Sequence, residues 1–429
     1  MRLTKLLIIA CLLGGPLAAS AQIRLTITGG TEKAVPIAVV PFRVQDGLSA
    51  PDTDIAAVVR SDLHRTGLFD PLPPENFVSR PARSEDVRYQ NWRALGADNL
   101  VVGSIGSAPN GGVDVRFELM DVYGSKVIVG KRYTAGRDAM RQVAHSISDD
   151  IYKALVGRSG AFNTNLLYIQ VQGQGDQKRF ELKYADADGY KPQTILTSRL
   201  PLMSPAWGPQ RKRIAYVSFE EHRSEIYVQN VSTGKRHKVA SFKGINGAPA
   251  FSPDGRRLAM TLSRDGNPDI YILDLDTGKT QRVTTHYGID TEPVWTPDGR
   301  SIVFTSDRAG GPQIYRVPVN GGTPKRLTFD GSYNASPSLS SKGRLLAMVH
   351  RDDSGFHIAV MDLKSGLTRV LTHGNLDESP SFSPNGAMVV YTRAVSNGTQ
   401  LATVSVHGRA DQTLREVKGD VREPAWSPL

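Results

Sequence analysis

Six copies of one short phrase, each opened by a proline, constrain what this chain can fold into more than any other feature. The prolines are Pro205, Pro249, Pro293, Pro337, Pro380 and Pro424, spaced 44, 44, 44, 43 and 44 residues apart. The copies read PAWGPQRKRIAYVS, PAFSPDGRRLAMTL, PVWTPDGRSIVFTS, PSLSSKGRLLAMVH, PSFSPNGAMVVYTR and, at the very end, PAWSPL. A period of about 40–45 residues, with several short strands in each unit, is the sequence mark of a β-propeller.

Inside each copy, Pro-Asp-Gly or a relative of it supplies turn chemistry, because proline presets φ and glycine accepts positive φ. An apolar run follows, such as Ile302-Val303-Phe304, without the polar alternation of a half-exposed strand. Such runs suit strands covered on both faces, as when blade packs on blade. A second strand (Ile270-Tyr271-Ile272 in one copy), a turn (Thr277-Gly278) and a third strand (Arg282-Val283-Thr284) complete the unit. Before Pro205 stands half a repeat, with strands expected at 166–169, 180–184 and 194–197 and no leading phrase. The terminal PAWSPL is a leading phrase with nothing after it. Together they make one unit, so the count is five whole blades and one split between the two ends of a ring.

Residues 34–160 have a different texture. Val35 to Phe42 reads as an apolar strand, and 54–66 has helical spacing behind an N-cap at Asp52 or Asp54. Trp92 to Ile105 reads as a helix end and then a strand. Val113 to Leu119 alternates strictly, Val127 to Val129 follows as a strand, and Ala139 to Leu155 closes the unit as an amphipathic helix. The expected fold class is therefore multidomain: a small N-terminal α/β domain over 34–160, then a six-bladed β-propeller over 161–429.

Residues 1–21 read as a secretory signal peptide, with Arg2 and Lys5, an apolar run from Leu6 to Leu13, and an A-x-A site at Ala19-Ser20-Ala21. A lipoprotein reading at Cys11 fits less well, because the apolar run continues past it. With cleavage after Ala21, the exported chain starts at Gln22 and contains no cysteine, hence no disulfide. No later stretch approaches the ~18 apolar residues of a membrane-spanning helix. Residues 22–33 form a short arm rich in small residues.

The formal charge of the whole chain is +10. Residues 22–162 carry 17 basic against 16 acidic side chains and residues 163–429 carry 33 against 26, so the excess lies in the propeller. It is spread out instead of gathered in one stripe, which argues against nucleic acid and favours an acidic partner.

Catalytic signatures are missing. Gly157-Arg158-Ser159-Gly160-Ala161 fails the last position of a nucleophile elbow, and no Walker loop or H-E-x-x-H occurs. The nine histidines never take zinc-site spacing. Asp254, Asp298 and Asn385 recur at one place in the unit as turn residues. The stronger signal is the set of loops that enter each phrase: Asn246-Gly247-Ala248, Asp290-Thr291-Glu292, Asn334-Ala335-Ser336, Asp377-Glu378-Ser379 and Arg422-Glu423. Rotational repetition gathers equivalent loops around one mouth of the central channel, which is either a polar docking surface or hydrated lining. A carbohydrate-binding or carbohydrate-cleaving propeller, using Glu292, Asp377, Glu378 and Glu423, is the alternative. A propeller gating a hydrolase, as in prolyl oligopeptidase, lacks its nucleophile here.

The stretches VPIAVVPF (35–42), GLFDPLP (67–73), NGAPAFSPDG (246–255), TEPVW (291–295) and the closing PAWSPL resemble the TolB family of periplasmic propeller proteins of the Tol–Pal envelope system. The resemblance spans the chain after the signal peptide. It implies binding without a reaction or cofactor, with no catalytic or metal residues. The lipoprotein Pal is expected at the propeller mouth, on Asn246, Gly247, Ala248, Thr291, Glu292, Asn334, Ala335, Asp377, Glu378 and Glu423. TolA is expected on the arm, at Gln22, Ile23, Arg24, Leu25, Thr26 and Ile27. Ile245 stands where the family pattern carries a histidine. A monomer in the Gram-negative periplasm, supporting outer-membrane integrity and cell division, is the role this implies.

Overall fold

The computed structural model describes residues 33–109, 111–414, 417 and 419–429. The expected signal peptide and the arm positions Gln22 to Ile27 lie outside the described residues.

The N-terminal unit is a sheet with helices on both faces. Its strands are β1 (Val35–Val39), β2 (Arg43–Val44), β3 (Phe69–Pro71), β4 (Asn99–Ser107), β5 (Val113–Asp121) and β6 (Lys126–Ala135), in the order β3-β1-β4-β5-β6 with β2 on β4. β1 runs parallel to β3 and β4, and β4, β5 and β6 are antiparallel. Alternation along the strands feeds two cores. Ile37, Val39, Val101, Val115 and Phe117 pack under α1 (Ile55–Arg65) and α3 (Met140–Val156). Ala38, Val40, Leu100 and Val102 pack under Trp92 of α2 (Tyr89–Ala94). Of the two candidate caps, Asp54 is the one that accepts the Ala57 amide.

Six four-stranded antiparallel sheets follow, and they are the blades. Five are continuous in sequence. The sixth joins Asp420–Trp426 to β7 (Asn165–Gln172), β8 (Arg179–Asp186) and β9 (Gln193–Ser198), with Ala425 opposite Leu167 and Trp426 opposite Leu166. The ring closes through the chain's last strand, as the half-repeats require. Further bonds fasten it: Trp426 Nε1 donates to Thr164 Oγ1 at 2.8 Å, and Trp207 Nε1 of the first blade donates to the Ala425 carbonyl at 3.1 Å.

In one respect the repeat folds differently from its sequence reading. The residues read as loops entering each phrase belong, with the opening of the phrase, to the innermost strand of each blade: Leu202–Trp207, Asn246–Phe251, Asp290–Trp295, Tyr333–Leu339, Asp377–Phe382 and Asp420–Trp426. A proline at the centre of a run demotes it as a strand. Here the proline falls at a bulge, where the pairing register slips and no ladder amide is needed.

The two units meet through a buried ionic joint. Asp62 and Arg65 of α1 pair at 2.7 Å, and His145 Nδ1 of α3 lies 2.7 Å from Asp62 Oδ2. From the β8–β9 turn, the Ala187 carbonyl accepts from Arg65 Nη1 at 3.0 Å and Asp188 pairs with Arg141. The Arg141 guanidinium also lies over the Tyr190 ring at 3.9 Å. Asp62, Arg65 and His145 are at most 3 % exposed.

Candidate docking mouth

The six inner strands converge on the channel, and each carries a non-glycine residue with positive φ directly before its proline. These are Ser204 (49°), Ala248 (46°), Glu292 (54°), Ser336 (52°), Ser379 (54°) and Glu423 (49°). A residue before proline is normally driven to extended backbone, and a side chain at positive φ is uncommon. Six such residues in one ring are a repeated device, created by the bulge that follows. The six residues and their prolines line one cavity of about 730 Å³, which runs from the ring to the first hairpin turns of the blades.

Two ring positions are glutamates, three blades apart, so they face each other across the axis. Glu292 accepts from Thr305 Oγ1 at 2.7 Å, from the Ser336 amide at 2.8 Å and from Ser336 Oγ at 2.9 Å, tying its blade to the next. Glu423 makes the matching contact across the closure, to the Ser204 amide. Burial pushes the Glu423 carboxyl above its usual range, against the pull of that amide, and the charge on Glu292 adds to the rise. Burial also raises Glu378, with Arg422 opposing. The charge of the ring is therefore acidic, carried by Glu292 and Glu423, with Arg422 acting on Glu423.

The predicted residues divide sharply by burial. Asn246, Asn334 and Asp377 are fully buried and Ala335 is 3 % exposed. Each polar one holds the connection that leads into its own strand. Asn246 bonds the Phe242 amide at 2.9 Å and carbonyl at 2.8 Å. Asn334 Nδ2 donates to the Asp330 carbonyl at 2.8 Å, and its Oδ1 lies 2.8 Å from His350 Nδ1. Asp377 accepts from Arg393 Nε and from the Gly374 amide, both at 3.2 Å. Gly247, Ala248, Thr291, Glu292 and Glu423 are partly accessible and Glu378 is exposed. The loop assignment is thus corrected: these positions start strands, and the polar residue of each is a brace.

Two groups stand outside the expected contact residues. Ser204 shares the ring position with Ser336 and Ser379, which the sequence places only in the entering loops, and aligning the six copies on their prolines finds all three. Ile245 (50 % exposed), Tyr287 (86 %), Ile289 (48 %) and Phe329 (71 %) stand on the connections between blades at the same end as Asn246 and Asp290. They give the rim apolar contact area that a phrase-centred search does not reach.

Fold and site together define a six-bladed propeller carried on a small α/β domain, with a polar, acidic mouth and an apolar rim. Residues 152–429 match the family model described as the TolB beta propeller domain, and residues 23–128 match the TolB amino-terminal domain. The chain is 57 % identical over 419 residues to the Tol-Pal system protein TolB of Alkalilimnicola ehrlichii, covering 97 % of this chain and 98 % of that one. It is 59 % identical over 409 residues to that of Nitrosococcus oceani, covering 95 % and 94 %. The crystal structure of TolB from Acinetobacter baumannii superposes with a TM-score of 0.85 at 42 % identity, covering 93 % of this chain and 98 % of that chain. The chain belongs to the TolB family of the Tol–Pal system.

Proposed function

We propose that this chain is a periplasmic, non-enzymatic interaction component that docks the lipoprotein Pal on the propeller mouth and TolA through the arm at residues 22–33. In this role it supports outer-membrane integrity and invagination during division. The observation that carries the reading is family membership over nearly the whole chain, joined to a mouth with an apolar rim. A polar centre rimmed by exposed apolar side chains offers a protein partner both orienting hydrogen bonds and apolar contact area. Glu292 is occupied by three donors from its own blade and the next, which favours docking over general-acid chemistry in a glycan cleft. Occupation of the mouth then changes whether the arm is free, coupling the two partners.

A pull-down from envelope extract tests both halves. Glu378→Lys combined with Thr291→Arg is expected to lose the lipoprotein and keep TolA, and deletion of 22–33 is expected to do the reverse. Capture of both partners by both variants would refute the assignment, and loss of glycan turnover in the mouth variant would move it to carbohydrate chemistry.

A further inference from the structure

The ends of the propeller differ in charge. In each antiparallel blade the first and third turns emerge at one end of the channel, and the second turn and the connection to the next blade emerge at the other. The second end holds the mouth and is mixed in charge, with Glu220, Glu221, Asp265, Asp307, Asp330 and Asp353 on its turns and connections beside Arg223, Lys243, Arg264 and Arg308. The first end is basic. Lys212, Arg256, Arg300 and Lys342 lie on the first turns of four successive blades, and Lys235, Lys279, Lys325 and Lys364 lie on or beside the third turns. All eight are exposed.

The carboxylates on this side are fewer, and most are committed to their own turns. Asp254 accepts from Ser252 Oγ at 2.5 Å and the Arg256 amide at 3.0 Å. Asp298 repeats this with Thr296 Oγ1 at 2.6 Å and the Arg300 amide at 3.1 Å. Asp362 pairs with Arg344 at 2.8 Å. Of the eight cations, Arg256 alone forms an ion pair within 4.0 Å among the described residues, with Asp276 at 4.0 Å, and both side chains are about three-quarters exposed.

The band is continuous. Each turn glycine abuts the turn proline of the preceding blade, Gly255 on Pro209, Gly299 on Pro253 and Gly343 on Pro297. The N-terminal unit stands on the same end, mainly over the fifth and sixth blades. Residues 159–163, which join it to the propeller, touch Asn385 of the fifth blade and Arg211 of the first, next to Lys212, and Gly67 abuts Arg409 and Ala410 of the fifth. The second, third and fourth blades are left open beside it.

We propose that this band is a docking surface for an anionic phospholipid membrane. Its cations are mostly lysines, strongly hydrated point charges set singly on separate turns. That suits a diffuse layer of headgroup phosphates better than the paired carboxylates of a folded partner. Leu367, 74 % exposed beside Lys364, offers an apolar side chain to the interface. The acidic mouth at the opposite end then faces away from the membrane, towards its own partner.

The test is co-sedimentation of the chain, purified from periplasmic extract, with vesicles of phosphatidylcholine alone or mixed with phosphatidylglycerol. Binding to the anionic vesicles only, weakened at least tenfold by raised salt, is expected. The variant Lys212→Glu/Arg256→Glu/Arg300→Glu/Lys342→Glu, checked for an unchanged melting curve, is expected to bind at least tenfold more weakly, and Glu378→Lys no more weakly than the parent. No binding to anionic vesicles at low salt, or binding indifferent to the four reversals, overturns the proposal. Retention by soluble dextran sulfate without vesicle binding overturns it in favour of a polyanionic glycan. Lipoprotein capture at the mouth reads separately, so failure of either assignment leaves the other standing.

Discussion

Ala248 has the same left-handed backbone as Glu292 but no side chain that gains from it. Glu292 recovers the strain through three hydrogen bonds, one within its own blade and two to the next, whereas alanine recovers none by its side chain. Ala248→Gly is therefore expected to stabilise the chain by about 0.5–1 kcal/mol, read as a rise in the urea midpoint at constant slope. This residue scale is where sequence reasoning about the site is weakest. Asn246 and Thr291 stand in equivalent stretches, with similar polarity and the same neighbouring proline. One is buried bracing its loop and the other faces the channel. Polarity does not tell a solvated side chain from one satisfied by backbone groups a few residues away, because both obey the same hydrogen-bonding requirement.

Among elements, the C-terminal strand does the most for its length. Its six-residue phrase brings a tryptophan that is 6 % exposed, pairs with β7, and bonds Thr164 through the indole. Trp426→Ala is expected to cost about 3–5 kcal/mol by the cavity it leaves. Deleting Pro424–Leu429 is expected to lower the melting temperature further, and an unchanged melting curve would show that closure contributes nothing. The pairing of this strand is legible in the sequence, since a half-repeat at 166–197 and an unfinished phrase at 424–429 complete each other. The bulge was not legible. It depends on three consecutive residues having to satisfy both the ladder and the crowded axis, and no local propensity encodes that crowding.

For the whole molecule, the joint between the two units makes stability respond to pH. Burial pushes the carboxyl of Asp149 on α3 up to about 6, against the pull of the Phe162 and Asn163 amides that donate to it. The folded state thus holds a proton that the unfolded chain releases. Its contribution is fully present at low pH and is lost as pH rises through 6. Acidifying from pH 7 to 5 should gain about 1 kcal/mol from this group alone, and Asp149→Asn should remove that share of the gain in paired denaturation curves. His145 acts with the same sign. Burial would lower its pKa, but the Asp62 carboxylate outweighs that and raises it, so wild type and Asp149→Asn should both retain a smaller gain from the imidazole. Asp62 is held below its usual range by His145 and Arg65, which outweigh its burial, and it stays ionised across this window.

The sequence by itself determined the number of blades, the split closure and the α/β character of residues 34–160. All three follow from periodicity and hydrophobic pattern, which are properties of the chain taken in order. Only the tertiary structure decided which phrase residues brace and which line the channel, where Asp62, Arg65, Arg141, His145 and Asp188 meet, and that the propeller's charge is divided between its two ends. Those features depend on groups distant in the chain, or repeated around a ring, arriving at one place. Burial and charge there are set by neighbours that no local stretch of sequence contains.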